Sequence, residues 1–195
     1  LAVLMSGLAV AAGVRAQGYP SKPIRVIVGY TAGGAVDIVA RAVSQQLQTS
    51  LGQPIIVENR PGAGTNIALR ALIDSPADGY TLMLTANAIA ANMSLYQPPP
   101  YDLARDITPI SLVGRVPVVL AVNAQSEYKT LGDLIAAAKA KPGSVNYASP
   151  GNGSTPHLAV ELFERASGIS LMHVPYKGGA QAITDVMGGH VQMVA

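Results

Sequence analysis

A mainly parallel α/β fold with helices on both faces of the sheet is predicted by two features of this chain. Past Pro20 and Pro23, short strand-like runs alternate with helical patterns in strict βαβα order. Three of these runs end in a Gly-rich turn that opens directly into a helix pattern: Val26–Asp37 (VIVGYTAGGAVD), Val145–Ala159 (VNYASPGNGSTPHLA) and His173–Ile183 (HVPYKGGAQAI). In open α/β sheets, ligands sit at the carboxyl ends of the strands, where such turns lie. A helix N-terminus leaves backbone N–H groups unpaired and carries a partial positive charge, and glycine admits close backbone approach and positive φ. The turns predict a cleft for a small anion, built mostly from main chain.

Each element follows from its own pattern. Ile24–Gly29 reads as a strand, and Ala35–Leu51 as a helix with Val36, Val39, Ala40, Val43 and Leu47 at helical spacing. Pro54–Glu58 is a short strand, followed by the turn Asn59–Gly64 and a helix to about Asp74. Asp78-Gly79 turns the chain into the strand Tyr80–Thr85, and a polar helix start follows at Asn87. Pro98-Pro99-Pro100 is extended. Ile107–Gly114 and Val118–Val122 have strand patterns, with Asp106–Val116 as a crossover between two lobes. Thr130–Lys141 is a helix with Thr130 as N-cap, Asp133 three residues on in a variant capping box, and Pro142-Gly143 as the stop. Strand Val145–Ala148, helix Pro156–Ala166, strand Met172–Val174, helix Ala180–Met187 and strand Val191–Ala195 complete the alternation.

Composition narrows the function classes. The 195 residues are 49% hydrophobic and 12% charged, with a net charge of +2 and no run of Lys and Arg, so the chain lacks the footprint of a nucleic-acid binder. Aromatics are 5% with no Trp, which also argues against base stacking. Zero Cys excludes disulfides, thiolate catalysis and Cys-based metal sites. The opening run LAVLMSGLAVAAGVRAQ is apolar and ends in Val14-Arg15-Ala16, small residues spaced as before a signal-peptidase cut. Residues 1–16 therefore read as a signal peptide remnant cleaved near Ala16, and the protein as exported; a buried N-terminal helix is the competing reading. Val191–Ala195 reads as an unfinished strand, so the chain is expected to stop inside a domain.

The turns carry few side chains able to do chemistry. Gly33-Gly34 serves either a tight turn or a ligand approach, and Asp37 either complements the helix dipole or meets a ligand amine. Gly62-Ala63-Gly64-Thr65-Asn66-Ile67 departs from G-x-G-x-x-G at its last position and lacks the acidic residue a dinucleotide site needs. Gly151–Ser154 is not a nucleophile elbow. Ser154 or Thr155 suits an N-cap before Pro156, a role compatible with holding an anion. His157 and Glu161 share a helix face without a third metal ligand at a recognisable spacing. His173 falls within a strand and reads as core or support, and His190 as a turn residue. Lys177, the only cation in the three turns, suits either a ligand carboxylate or solvent.

Six segments in order carry a resemblance: PSKPIRVIVGYTAGGAVDIVAR, VENRPGAGTNIA, PADGYTLML, LYQPPPYDLARDITPI, YASPGNGSTPHLAVELF and HVPYKGGAQAITDVMGGHV. Across nearly all of Tyr19–Ala195 the chain resembles the tripartite tricarboxylate transporter substrate-binding receptors, also called Bug receptors. The resemblance implies a two-lobed, type II-like Venus-flytrap periplasmic-binding-protein fold that is incomplete at the C-terminus, with residues 17–113 in lobe 1 and 114–195 in lobe 2. It implies a periplasmic receptor, monomeric at full length, that hands a di- or tricarboxylate, acidic amino acid or aromatic acid to membrane permease subunits. Ligand contacts are implied at Gly33, Gly34 and Asp37, at Thr85, Ala86 and Asn87, at Gly153, Ser154, Thr155 and His157, and at Lys177, Gly178 and Gly179. No catalytic residue, metal or cofactor is implied. Ala32, where the family usually has Pro, and Thr65, where glycine is common, depart from the pattern and bear on local loop shape. The rival reading is a secreted α/β enzyme acting on a small organic acid through Ser154 and His157.

Overall fold

The computed structural model describes residues 18–195; the signal-peptide reading of residues 1–16 falls outside the described residues. Strand β1 (Ile24–Val28) leads through helix α1 (Ala35–Leu51) to β2 (Ile55–Asn59), and a 3-10 turn at Ala63–Thr65 opens α2 (Asn66–Ile73) before β3 (Thr81–Leu84). These strands form a parallel sheet of order β2-β1-β3, with Val28 opposite Asn59 and Leu84. The β1-to-β2 and β2-to-β3 crossovers run in opposite directions across the sheet, and because parallel crossovers are right-handed the two helices must lie on opposite faces. They do. Val28 shares a buried cluster with Tyr30 and Ala40 of α1, whereas the space above Gly29 is filled by Thr65 and Ala68 of α2.

Beyond α3 (Ala88–Leu95) and one turn of helix α4 (Leu103–Asp106), the chain builds a second sheet. Strand β4 (Ala121–Val122), helix α5 (Leu131–Ala140), β5 (Asn146–Ser149), α6 (Thr155–Ser167), β6 (Met172–Pro175), α7 (Gly179–Met187) and β7 (Met193–Val194) follow. The sheet order is β4-β7-β5-β6, parallel except for the antiparallel β4–β7 pair. Successive side chains of a strand point to opposite faces, and this alternation sorts its core. Tyr147 and Met193 pack with Leu134 and Ala138 of α5 and Val160 of α6 on one face, and Ala148 and Val194 pack with Ala182 and Val186 of α7 on the other.

The ends of the helices follow their local chemistry. Thr130 Oγ1 accepts from the Asp133 N–H at 3.1 Å while Asp133 Oδ2 accepts from the Thr130 N–H at 2.7 Å, a complete capping box. Ser154 is the N-cap of α6, which begins at Thr155, so Pro156 occupies the second helical position. Gly52 closes α1 at φ +66.

Two expectations are corrected. Of the strand patterns at Ile107–Gly114 and Val118–Val122, only Ala121–Val122 becomes a strand, and residues 107–120 have no regular structure. A strand exists by sharing ladder hydrogen bonds with a neighbour. Ala121–Val122 finds β7, and among the described residues nothing pairs with the rest, leaving Ile110 79% exposed. Val191–Ala195 likewise contracts to Met193–Val194.

Removing the capping hydroxyl with Thr130→Ala should lower stability by about 1 kcal/mol. Urea denaturation checks this, and an unchanged midpoint would show that the box does not hold the start of α5.

Candidate functional site

The carboxyl ends of both sheets point toward each other, and the turns that leave them touch. The Thr31 N–H donates to the Lys177 carbonyl at 3.4 Å, and Thr155 Oγ1 donates to Asn87 Oδ1. A Cβ on Gly178 would stand 2.9 Å from Thr31 N, and one on Gly64 would stand 3.2 Å from the Asn152 carbonyl. Between these turns lies a cavity of about 230 Å³, lined from one sheet by Tyr30 and the Gly62–Thr65 turn and from the other by Pro150–Asn152, Ser154, Tyr176 and Lys177. Lys177 is the only charged residue of this lining.

The structure distributes the predicted site residues unevenly. Ser154 and Lys177 line the cavity. Gly33, at φ +81, lies with its Cβ position 3.7 Å from Ala180 Cβ, and Gly34 is the N-cap of α1. Asp37 is buried, with Oδ2 accepting from the Gly33 N–H at 2.9 Å and Arg41 Nε at 3.0 Å and Oδ1 accepting from Asn59 Nδ2 at 2.8 Å. Its carboxyl is held down to about 2, first by the bond from Arg41, then by the Gly33 N–H and the Asn59 amide, against the opposing effect of burial. Both of its oxygens are engaged, one by the first turn and α1 and the other by the end of β2. Thr85 and Ala86 leave β3 half-buried, and Asn87 meets Thr155. Gly153, at φ +72, donates to His157 Nδ1 at 3.1 Å. Gly178 is extended and faces Thr31, and Gly179 opens α7.

The contacts inferred from sequence leave out the Gly62–Thr65 turn and the phenols Tyr30, Tyr96 and Tyr176, all of which line the cavity. The glycines of the turn were a usable signal, weighed only as a nucleotide fingerprint. Four consecutive residues here have positive φ: Gly62 at 127, Ala63 at 47, Gly64 at 60 and Thr65 at 77. Glycine adopts such angles freely, but each L-residue with a side chain costs roughly 1–2 kcal/mol there. The turn is pinned by Asn92, fully buried on α3, whose Nδ2 donates to the Gly64 carbonyl and to Asn66 Oδ1, each at 2.7 Å. Burial raises Tyr30 to about 12, and the Asp185 carboxylate, with burial behind it, raises Tyr176 to about 12. Both phenols stay neutral, leaving the Lys177 ammonium as the charge of the lining.

Behind the Pro150–Ser154 turn stands a stack of three rings. His157 and His173 have centroids 4.1 Å apart, and His173 lies 4.8 Å from Tyr147. Ser149 Oγ is 2.6 Å from His173 Nε2 and accepts from the Gly151 N–H at 3.1 Å. His157 Nε2 is 3.5 Å from Glu161 Oε1. The two imidazoles thus support the backbone of the turn. Ser154 Oγ accepts from the His157 backbone N–H at 3.4 Å, and no hydrogen bond joins it to the His157 ring among the described residues. Nor does any group of three His, Cys, Asp or Glu among those residues surround a point suited to a metal ion.

Comparison with known proteins gives a consistent picture. The model of the tripartite tricarboxylate transporter family receptor matches residues 39–195. BugT of Bordetella pertussis is 42% identical over 193 residues, covering 98% of this chain and 59% of its own length. Among solved structures, Rpa4515 of R. palustris with adipate superposes at a TM-score of 0.86 with 35% identity, over 90% of this chain and 59% of that one. MatC (Rpa3494) of Rhodopseudomonas palustris with bound malate gives 0.81 and 29%, over 90% and 60%. The two-sheet arrangement is that of these structures and of the periplasmic binding protein BugD, which superposes at a TM-score of 0.81 with 29% identity, over 90% of this chain and 58% of that one.

The imidazole stack makes stability depend on pH. Burial, then the neighbouring His157, pushes His173 from 6.5 down to about 4. The unfolded chain therefore takes up this proton first, so the contribution is complete above about 6.5 and is lost as pH falls toward about 4. Glu164, raised chiefly by burial, works in the opposite sense, so the informative quantity is the difference between two proteins. Thermal melts of the parent and His173→Gln should diverge across this window, the parent falling more steeply; parallel curves would mean that His173 does not remain neutral in the fold.

Proposed function

The chain belongs to the tripartite tricarboxylate transporter receptor family, and on that premise we propose that it captures a small carboxylate for a permease of this transporter class. One observation carries the reading: turns from the carboxyl ends of two sheets enclose a cavity lined by glycines, hydroxyl-bearing side chains and a single cationic residue, Lys177. Backbone N–H groups at helix starts suit an anionic headgroup, and Lys177 suits a second oxygen-rich group of the same ligand. Adipate and malate, the acids bound by two relatives, have this chemistry. The chain spans 59% of the length of BugT, and the function proposed is that of the whole receptor.

In this reading residues 17–113 and 114–195 belong to two lobes that close over the ligand, burying it between both sets of turns. Export with cleavage near Ala16 delivers the receptor to the periplasm, where the permease subunits take the ligand from it. No helix among the described residues is long and apolar enough to cross a membrane. Capture without conversion fits the positions of Ser154, which caps α6, and His157, whose ring nitrogen is bonded to the Gly153 N–H, better than hydrolysis does.

Calorimetric titration with mono-, di- and tricarboxylates, each followed by NMR for turnover, tests the proposal. Binding without product supports it; product formation, or no binding across the set, overturns it. Lys177→Gln should weaken binding by about 1.5–3 kcal/mol through loss of a charged hydrogen bond. Gly33→Val should abolish binding in a folded protein, because a β-branched side chain is strained at φ +81 and the first turn would have to reshape to relieve it.

A further inference from the structure

Thr65 combines three properties that packing alone does not call for. It is a β-branched residue at φ +77, where such side chains are rarely found. It is 2% exposed, yet its Oγ1 is one of only three buried side-chain atoms among the described residues that have no hydrogen-bond partner. And it lines the cavity between the two sheets. Its orientation is set: Cβ and Cγ2 fill the space above Gly29, where an added Cβ would come within 2.7 and 2.9 Å of them. With the methyl held there, the stiff χ1 torsion fixes the direction of the hydroxyl as well.

Buried hydroxyls find partners, and strained residues that persist cluster where ligands are held. From this we propose that Thr65 is a specificity-determining residue, its hydroxyl donating a hydrogen bond to a carboxylate oxygen of the bound acid. The inference rests on the carboxylate-receptor reading above and adds to it the donor that sits opposite Lys177. Because the Cγ2 methyl occupies the space above Gly29, the same side chain also sets how closely a ligand can approach β1. The other unpartnered atoms fit this role less well: Thr31 Oγ1 is wedged against Gly178 at the contact between the halves, and Asn92 Oδ1 belongs to a side chain already pinning the turn.

The test uses the full chain with Thr65→Val, which keeps the shape and removes the hydroxyl, and Thr65→Ser, which keeps the hydroxyl. Titration with a panel of di- and tricarboxylates that includes adipate and malate should show Thr65→Val weaker than the parent by tenfold or more for its best ligand. Thr65→Ser should stay within a few-fold. Equal affinity of parent and Thr65→Val for every acid that binds overturns the assignment while leaving the receptor reading intact. If the parent binds none of the panel, the receptor reading falls, and melting of the ligand-free proteins then judges the hydroxyl. Thr65→Val should melt no lower than the parent, since it loses only an unpaired buried group. A lower melting temperature would assign the hydroxyl to the fold and overturn the proposal.

Discussion

Backbone must approach backbone where the two sheets meet, and the rest of the structure follows from that constraint. Gly178 sits against Thr31 and Gly64 against the Asn152 carbonyl, and a side chain at either glycine would press on backbone of the other half. Bare turns at the carboxyl ends of strands leave peptide groups as the cavity wall. Such a wall is rich in donors and poor in charge, which suits an anion whose oxygens accept several bonds. The only charge in the lining comes from Lys177, at the mouth of the last turn.

Glycine-rich turns are poor at holding their own shape, and three of them are braced by polar side chains behind them. Asp37 gathers the Gly33 N–H, Arg41 and Asn59, and Asn59 also donates to the Tyr30 carbonyl, so one carboxylate ties the first turn to α1 and β2. Asn92 does the same for Gly62–Thr65 from α3. In the second sheet, Ser149 with His173, and His157 with Gly153, brace the third turn. Three chemically different braces serve one purpose. In each case a polar side chain is kept in the interior because the backbone it serves has no other partner there.

The βα framework was legible because its signals are local. Helix α1 matches its periodic pattern at both ends, and the Thr130–Asp133 box forms as its spacing predicts. The failures are non-local. Nothing in Ile107–Leu120 reveals whether a neighbouring strand stands beside it, so its pattern suggested a ladder that does not form. The site was half legible for a related reason. Glycine turns announce themselves, but which of their residues face the cavity depends on how two sheets dock. Asp37 and His157 have the chemistry of ligand contacts and lie in the right turns, yet the fold spends their polar atoms on bracing. Tyr30, Tyr96 and Tyr176 carry no turn signal and reach the lining through tertiary packing alone.

On the proposed carboxylate-receptor reading, that division separates what recognises an acid from what distinguishes one acid from another. Peptide donors at helix starts respond to any carboxylate, and their placement is fixed by the need for the sheets to meet, so they offer little scope for variation. Discrimination falls to the side chains that project past them. Here those are neutral phenols, the hydroxyls of Ser154 and Thr65, and one ammonium. With Tyr30 and Tyr176 raised to about 12, neither of these phenols adds charge; the Tyr176 hydroxyl is already donated to the Asp185 carboxylate, so that residue offers a ligand its ring rather than a proton. Among the residues that line this cavity a single positive charge stands beside several hydroxyl and peptide groups. On that reading, specificity within this scaffold becomes a question of where a few hydroxyl groups point, and the strained turn at Gly62–Thr65, which carries a buried hydroxyl without a partner, is the part of the wall where it is to be sought.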